Sequence, residues 1–355
     1  MDVRLWQYTA TLRHHVSAAG ERHEDRRHLF IELNTGEFRG TGEISPQPLR
    51  QNGDPSCDEV LEELQHHVLP TYLSRIREEG SLVPWSRVGL LGSSRRASLF
   101  ALSGLEMAAL DLEMNEAKQS LGSFFEEPAR HVSYGATWSI IEPDNDWSPP
   151  SWCERLRVKT RPGIEVEKGR EKLEAWGLPV VLDFNCSCST NEDVLQQVDE
   201  LAAVVDVLGI EQPFAPSDLV AHADLRSVLS VLLSLDESVT SLGDVRRIAQ
   251  YGAADMVCVK LARVGGLISA RGVIDEAKRH GLRHYVGGFF DTPLGRSFSE
   301  FLAAITNAEA SDVGPVSFEG STSSPEISPQ WWINDLGVGP SPDFSDMALL
   351  GTWKV

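Results

Sequence analysis

The stretch VVLDFN (180–185) sets three residues suited to a buried strand directly against a carboxylate, Asp183, with Asn185 two positions on. Similar runs occur on both sides of it. LRVK ends at Lys159, VLGIE at Glu211 and MVCVK at Lys260, while VLLSLDE reaches Asp236 and Glu237 and HYVGGFFD ends at Asp291. From Lys159 to Lys260 the successive gaps are 24, 28, 25 and 24 residues. Between the runs lie amphipathic segments such as IEVEKGREKLEAWG (164–177), NEDVLQQVDELAAVV (191–205) and LISARGVIDEAKRHG (267–281), several closing on glycine as helix C-termini do. Strand and helix alternating at this spacing predict βαβ units, and continuous apolar strands predict a parallel sheet covered on both faces. Six or more units favour a closed (β/α)8-type, TIM-like barrel. No GxGxxG turn follows an early strand, which argues against a dinucleotide-binding sheet.

Residues 1–125 follow a different rule. VRLWQYTATL (3–12), HLFIEL (28–33) and EFRGTGEI (37–44) alternate apolar with polar residues, as an antiparallel meander does, and two helical stretches follow. The expected organisation is an α+β domain over 1–125, a barrel over 126–320 opening with HVSYGATWSI (131–140), and a turn-rich segment over 321–355 packing back on the first domain. The polar stretch HHVSAAGERHEDRR (14–27), with Gly20, reads as a loop between two strands.

Composition is that of an ordinary globular protein, 41% hydrophobic and 24% charged. A net charge of −20 argues against nucleic acid and anionic membrane as partners. Five scattered cysteines, no run of about 18 apolar residues and no signal-like start lead to an expectation of a cytoplasmic protein with reduced thiols.

In a (β/α) barrel the C-terminal strand ends converge on one mouth. Numbered from 131–140, the second to sixth strands would bring Lys159, Asp183, Glu211, Asp236 and Lys260 there. A single acid after a strand is often just a helix N-cap; five residues in register are a different matter. Three neighbouring carboxylates cannot all stay ionised without a cation, and with no His or Cys among them they suit Mg²⁺, with Mn²⁺ as the alternative. Two lysines facing each other across that cluster suit removal of a proton α to a carboxylate, the cation stabilising the enediolate. Lysines on barrel strands can also act as Schiff-base nucleophiles, the competing chemistry.

This series resembles the enolase superfamily, and within it the muconate lactonizing enzyme subgroup. GTGEISP (40–46) is similar to the turn closing that family's capping-domain meander, and SGLEMAALDLEMNEAKQSLG (103–122) to the helix leading into its barrel. RVK (157–159) is similar to a Lys-x-Lys motif; LDFN, IEQP and LDES to the metal-ligand strands; VKLARVGGL (259–267) and GGFFDTPLGR (287–296) to the sixth- and seventh-strand motifs. The resemblance implies a modified barrel with an N-terminal α+β capping domain whose mobile lid corresponds to about 14–27. It implies Lys159 and Lys260 as acid/base residues, Asp183, Glu211 and Asp236 as ligands of Mg²⁺, and supporting or substrate-binding roles for Arg157, Asn185, Glu237, Arg263, Gly288 and Asp291. A small carboxylate-bearing substrate and a homo-oligomer are implied too.

Lys-x-x-Arg-x-Gly-Gly (260–266) looks most like o-succinylbenzoate synthases and N-succinylamino acid racemases. Dehydration of the synthase type is the leading expectation. N-succinylamino acid racemisation, dipeptide epimerisation and muconate-type cycloisomerisation are alternatives, and a barrel without catalysis is a remote one. Two departures stand out. Arg157 replaces the usual first lysine, keeping the charge but not the shape, and Asp291 stands where Glu is common.

Overall fold

The structure, a computed structural model, describes residues 1–18, 21–144, 146–319 and 331–354. Strands β1 (Asp2–Ala18), β2 (Glu21–Asn34) and β3 (Arg39–Ile44) pair antiparallel. Their alternation buries Val3, Leu5, Leu29, Ile31 and Leu33 against the helix Arg96–Ala117. That helix lies so close to β3 that a Cβ on Gly42 would run into the Gly104 carbonyl, which explains the glycines of GTGE.

The polar stretch 14–27 is not a loop as expected. Most of it is strand: β1 runs on to Ala18, and Val16, Ser17 and Ala18 pair with His23, Arg22 and Glu21. Polar residues suit this ribbon because cross-strand bonds satisfy the backbone while side chains bind the barrel. His14 Nδ1 lies 3.0 Å from Asp144 Oδ2, and Ser17 Oγ donates to Glu142 Oε2 at 2.8 Å. Gly20 lies outside the described residues.

Seven parallel strands follow: β4 (Tyr134–Ser139), β5 (Cys153–Lys159), β6 (Val180–Asp183), β7 (Val207–Glu211), β8 (Leu232–Leu235), β9 (Met256–Val259) and β10 (Arg283–Val286), hydrogen-bonded in sequence order. Helices return the chain between them, and Gly177 and Gly252 end two of them in the left-handed region, as the sequence suggests; the structure adds Thr190 and Ser241 as N-caps, accepting from Asp193 N and Asp244 N. Residues 309–312 close the circle: Gly135 N bonds Ser311 O at 2.8 Å, and Asp312 N bonds Val286 O at 2.9 Å. The curled sheet with its helices and the antiparallel sheet beside it are the barrel-plus-capping-domain architecture.

Alternation along the strands sorts the barrel residues. Leu156, Val158, Leu182, Ile210 and Leu233 pack outward against helix residues Leu173, Val194, Val198 and Leu201. The intervening positions, Arg155, Arg157, Lys159, Asp183 and Glu211, therefore point inward, and the register sets Lys159 opposite Asp183 and Asp183 opposite Glu211. The last strand, β11 (Ala348–Lys354), adds to the outer edge of β1. Trp332 instead packs on Phe301 of the barrel helix Pro293–Thr306, ring centroids 5.5 Å apart. The expected boundary near 320 lies outside the described residues. No helix among the described residues is long and apolar enough to cross a membrane.

Glu106, on the capping helix, accepts the backbone N–H groups of barrel residues Leu267 (2.6 Å) and Ile268 (3.3 Å). Burial nevertheless pushes its carboxyl up to about 8. A folded pKa raised above the unfolded one means the native state keeps a proton the unfolded chain has lost. Stability from this group is thus present below about 4.5 and lost as pH climbs to about 8. Glu106→Gln retains an acceptor but cannot ionise. Its Tm relative to wild type should therefore rise by a few degrees between pH 5 and 8; parallel Tm–pH curves for the two proteins would refute this.

Candidate active site

The residues expected at the mouth meet there. Lys159, at the end of β5, places Nζ 2.5 Å from Asp183 Oδ2 and 2.9 Å from Asn185 Oδ1. Lys260, directly after β9, places Nζ 2.8 Å from Asp236 Oδ2 and 4.7 Å from the centroid of the Phe289 ring. Both lysines line one cavity with Arg157, Asn185, Asp236, Glu237, Arg263 and Gly288. The hairpin residues His14, His15, Val16 and His23 cover it, and Trp138, Trp147, Trp152, Phe289 and Phe290 supply its aromatic walls. Burial holds the His23 imidazole down to about 4, so this ring is neutral at physiological pH.

Each acid is held by its own set of partners. Asn185 and Cys186 turn the chain after β6 with φ of 43° and 63°, a bend that lets Asn185 N donate to Asp183 Oδ1 at 2.9 Å. Gln212 Oε1 accepts from Asp236 N at 2.9 Å and Ser238 N at 3.2 Å, seating the turn after β8. Arg263 donates twice to Asp54 of the capping region, at 2.9 and 2.6 Å, and contacts Asp236 Oδ1 at 2.5 Å. Asn52 Nδ2 reaches Asn185 O and Glu237 Oε1, both at 3.1 Å. Asp291 lies to one side: it accepts from Phe289 N at 3.0 Å, bracing the loop after β10, and does not line the cavity.

Asp54, Asn52, Gln212 and Asp312 were not among the residues singled out from the sequence. Gln212 was in view within IEQP, and QNGDPS (51–56) carries a turn signal, but no strand period points either stretch at the mouth.

The electrostatics favour a cation. Four buried acids (Asp183, Glu211, Asp236, Glu237) face four buried bases (Arg157, Lys159, Lys260, Arg263). Burial opposes ionisation of Asp236, yet Arg263, Lys260 and Arg157 hold its carboxyl well below the usual range. Asp183 is likewise lowered against burial, by Arg157 and Lys159. Burial wins at Glu211, pushed up to about 8, and raises Glu237, whose Oε2 is buried without a hydrogen-bond partner. Burial disfavours charge on Lys260, but Asp236 outweighs it and keeps the ammonium form.

Ligand atoms of Glu211, Asp236 and Cys258 lie within 4.8 Å of one another. Burial keeps the Cys258 thiol protonated, and a protonated thiol is a poor ligand. Asp183 is the better third donor, although its Oδ2 is turned toward Lys159 and Arg157. An all-oxygen set with an orphaned carboxylate oxygen beside it fits a hard divalent cation.

Residues 153–322 match the family described as Enolase C-terminal domain-like. The o-succinylbenzoate synthase of Bacillus subtilis (strain 168) is 25% identical over 85% of this chain and 81% of its own. The N-succinylamino acid racemase of an Amycolatopsis species is 29% identical over 69% of this chain and 66% of its own. A solved dipeptide epimerase from Enterococcus faecalis V583, complexed with Mg and the dipeptide L-Leu-L-Tyr, superposes with a TM-score of 0.74 at 18% identity, over 95% of this chain and 98% of that one. With these matches laid over a barrel whose strand ends carry lysine, three acids and lysine in order, the chain belongs to the enolase superfamily.

Proposed function

We propose that the protein takes a small carboxylate-bearing substrate, removes the proton α to the carboxylate, and expels hydroxide from the neighbouring carbon, a dehydration of the o-succinylbenzoate synthase type. The observation that carries this reading is the pair of amines, Lys159 and Lys260, set around buried carboxylates in a single cavity. Asp183, Glu211 and Asp236 would hold Mg²⁺ or, as the alternative, Mn²⁺. When bound, the cation offsets the negative charge that develops on the substrate carboxylate as the α carbon gives up its proton.

The chain's own groups do the rest. Lys159 Nζ accepts the α proton, the carbon–oxygen bond breaks, and the proton on Lys159 passes to the departing hydroxide as water. Lys260, tied to Asp236 and seated over Phe289, is a fixed cation on the opposite side. The aromatic walls suit a substrate with an unsaturated ring. The covering hairpin excludes water, which strengthens every charge interaction within.

The test is to incubate metal-loaded protein in D₂O with the cyclohexadiene precursor of o-succinylbenzoate, N-succinylamino acids and dipeptides. Appearance of the aromatic product is the expected result. Exchange of the α proton of an N-succinylamino acid, with racemisation and no elimination of the precursor, would replace dehydration by the second reading, which the similarity to the Amycolatopsis racemase favours.

A further inference from the structure

The guanidinium of Arg157 lies among the three carboxylates proposed to hold the divalent cation. Its Nη2 is 2.7 Å from Asp183 Oδ2, hydrogen-bonds Glu211 Oε1 and lies 3.5 Å from Asp236 Oδ2, while its Nε donates to Glu211 Oε2 at 3.0 Å. One nitrogen thus touches all three acids, as a bridging ion would. On its other side, Nη1 faces Asp312 Oδ2 at 3.4 Å. That oxygen is buried and has no hydrogen-bond partner, while Asp312 Oδ1 is bound by Arg155 Nη2 at 3.2 Å. Arg157 therefore has anionic neighbours on two sides, the three carboxylates engaged and Asp312 held in reserve. Its planar fork spans several oxygens at once, which the single ammonium of a lysine does not.

We propose that Arg157 is a built-in competitor for the divalent cation: it holds the carboxylates together in the metal-free protein and turns toward Asp312 when the ion enters. Metal affinity is then set by the exchange of one cation for another, and the metal-free site keeps its shape. This rests on the reading that Asp183, Glu211 and Asp236 hold the ion.

Mn²⁺ titration followed by electron paramagnetic resonance tests the exchange without recourse to turnover. Arg157→Gln should bind Mn²⁺ about tenfold more tightly than wild type or better, and its metal-free form should melt at a lower temperature. Asp312→Asn, which removes the charge awaiting the guanidinium, should weaken binding severalfold, about the opposite sign of the same coupling. Equal or weaker Mn²⁺ binding by folded Arg157→Gln would overturn the competition. Should that variant not fold, Arg157→Lys carries the same test, with tighter binding expected and unchanged or weaker binding overturning it. Asp183→Asn separates the two readings. Lost Mn²⁺ binding there with unchanged affinity in Arg157→Gln removes only the competition, whereas unchanged binding in Asp183→Asn removes the assigned ion site and the competition with it.

Discussion

Lys159→Ala is expected to lower kcat by about 10³–10⁴-fold, near the upper end of what a positioned acid/base group contributes. The reason is local. Lys159 stands at the end of β5 with its amine open to the cavity, and its nearest partners, Asp183 Oδ2 at 2.5 Å and Asn185 Oδ1 at 2.9 Å, are a carboxylate assigned to the cation and an amide, neither of which takes its place. Removal should abolish both product formation and exchange of the substrate α proton with D₂O. Lys260→Ala should act differently. If Lys260 is a fixed cation, its loss costs about 10²–10³ in kcat, as removal of an oriented charge does, while exchange at the α carbon persists. If Lys260 is instead the second base of a racemase, exchange disappears for one enantiomer. Undiminished turnover in Lys159→Ala would end the assignment of that lysine as the base.

Stripping the protein with EDTA is expected to reduce turnover by about 10³-fold or more, the several kcal/mol that a bound cation supplies to a developing carboxylate charge. Mg²⁺ or Mn²⁺ should restore it. The negative charge that the ion offsets develops as the proton leaves, so the metal should matter most once proton removal is under way, lowering kcat on its loss more than it raises KM. Full activity after EDTA treatment, with metal absent by elemental analysis, would sink the metal role and favour a Schiff-base mechanism.

How much of this was legible before folding differs from residue to residue. Asp183, Glu211 and Lys260 were legible because each ends a short apolar run, and a parallel barrel gathers run ends at one face. The glycine helix ends were legible for an equally local reason, since Gly177 and Gly252 act on a neighbouring turn. The hairpin misled because polarity was taken as a sign of loop. A two-stranded ribbon bound to loop acids such as Glu142 and Asp144 has no need of an apolar face. Asp54, Asn52 and Asp312 were invisible because each reaches the site from a turn or closing stretch distant in sequence, where no period records what lies opposite.

The one-dimensional order by itself determined the alternation of strand and helix, the residue type at each strand tip and, through the two-residue period of the strands, which of them face inward. These depend on contacts a few residues apart. Only the tertiary structure decided that the Arg157 guanidinium sits among the acids, that Arg263 ties the capping region to the barrel through Asp54, and that residues 309–312 complete the ring. Those outcomes depend on charges brought together across the closed barrel, where desolvation makes each of them accept whichever partner lies nearest.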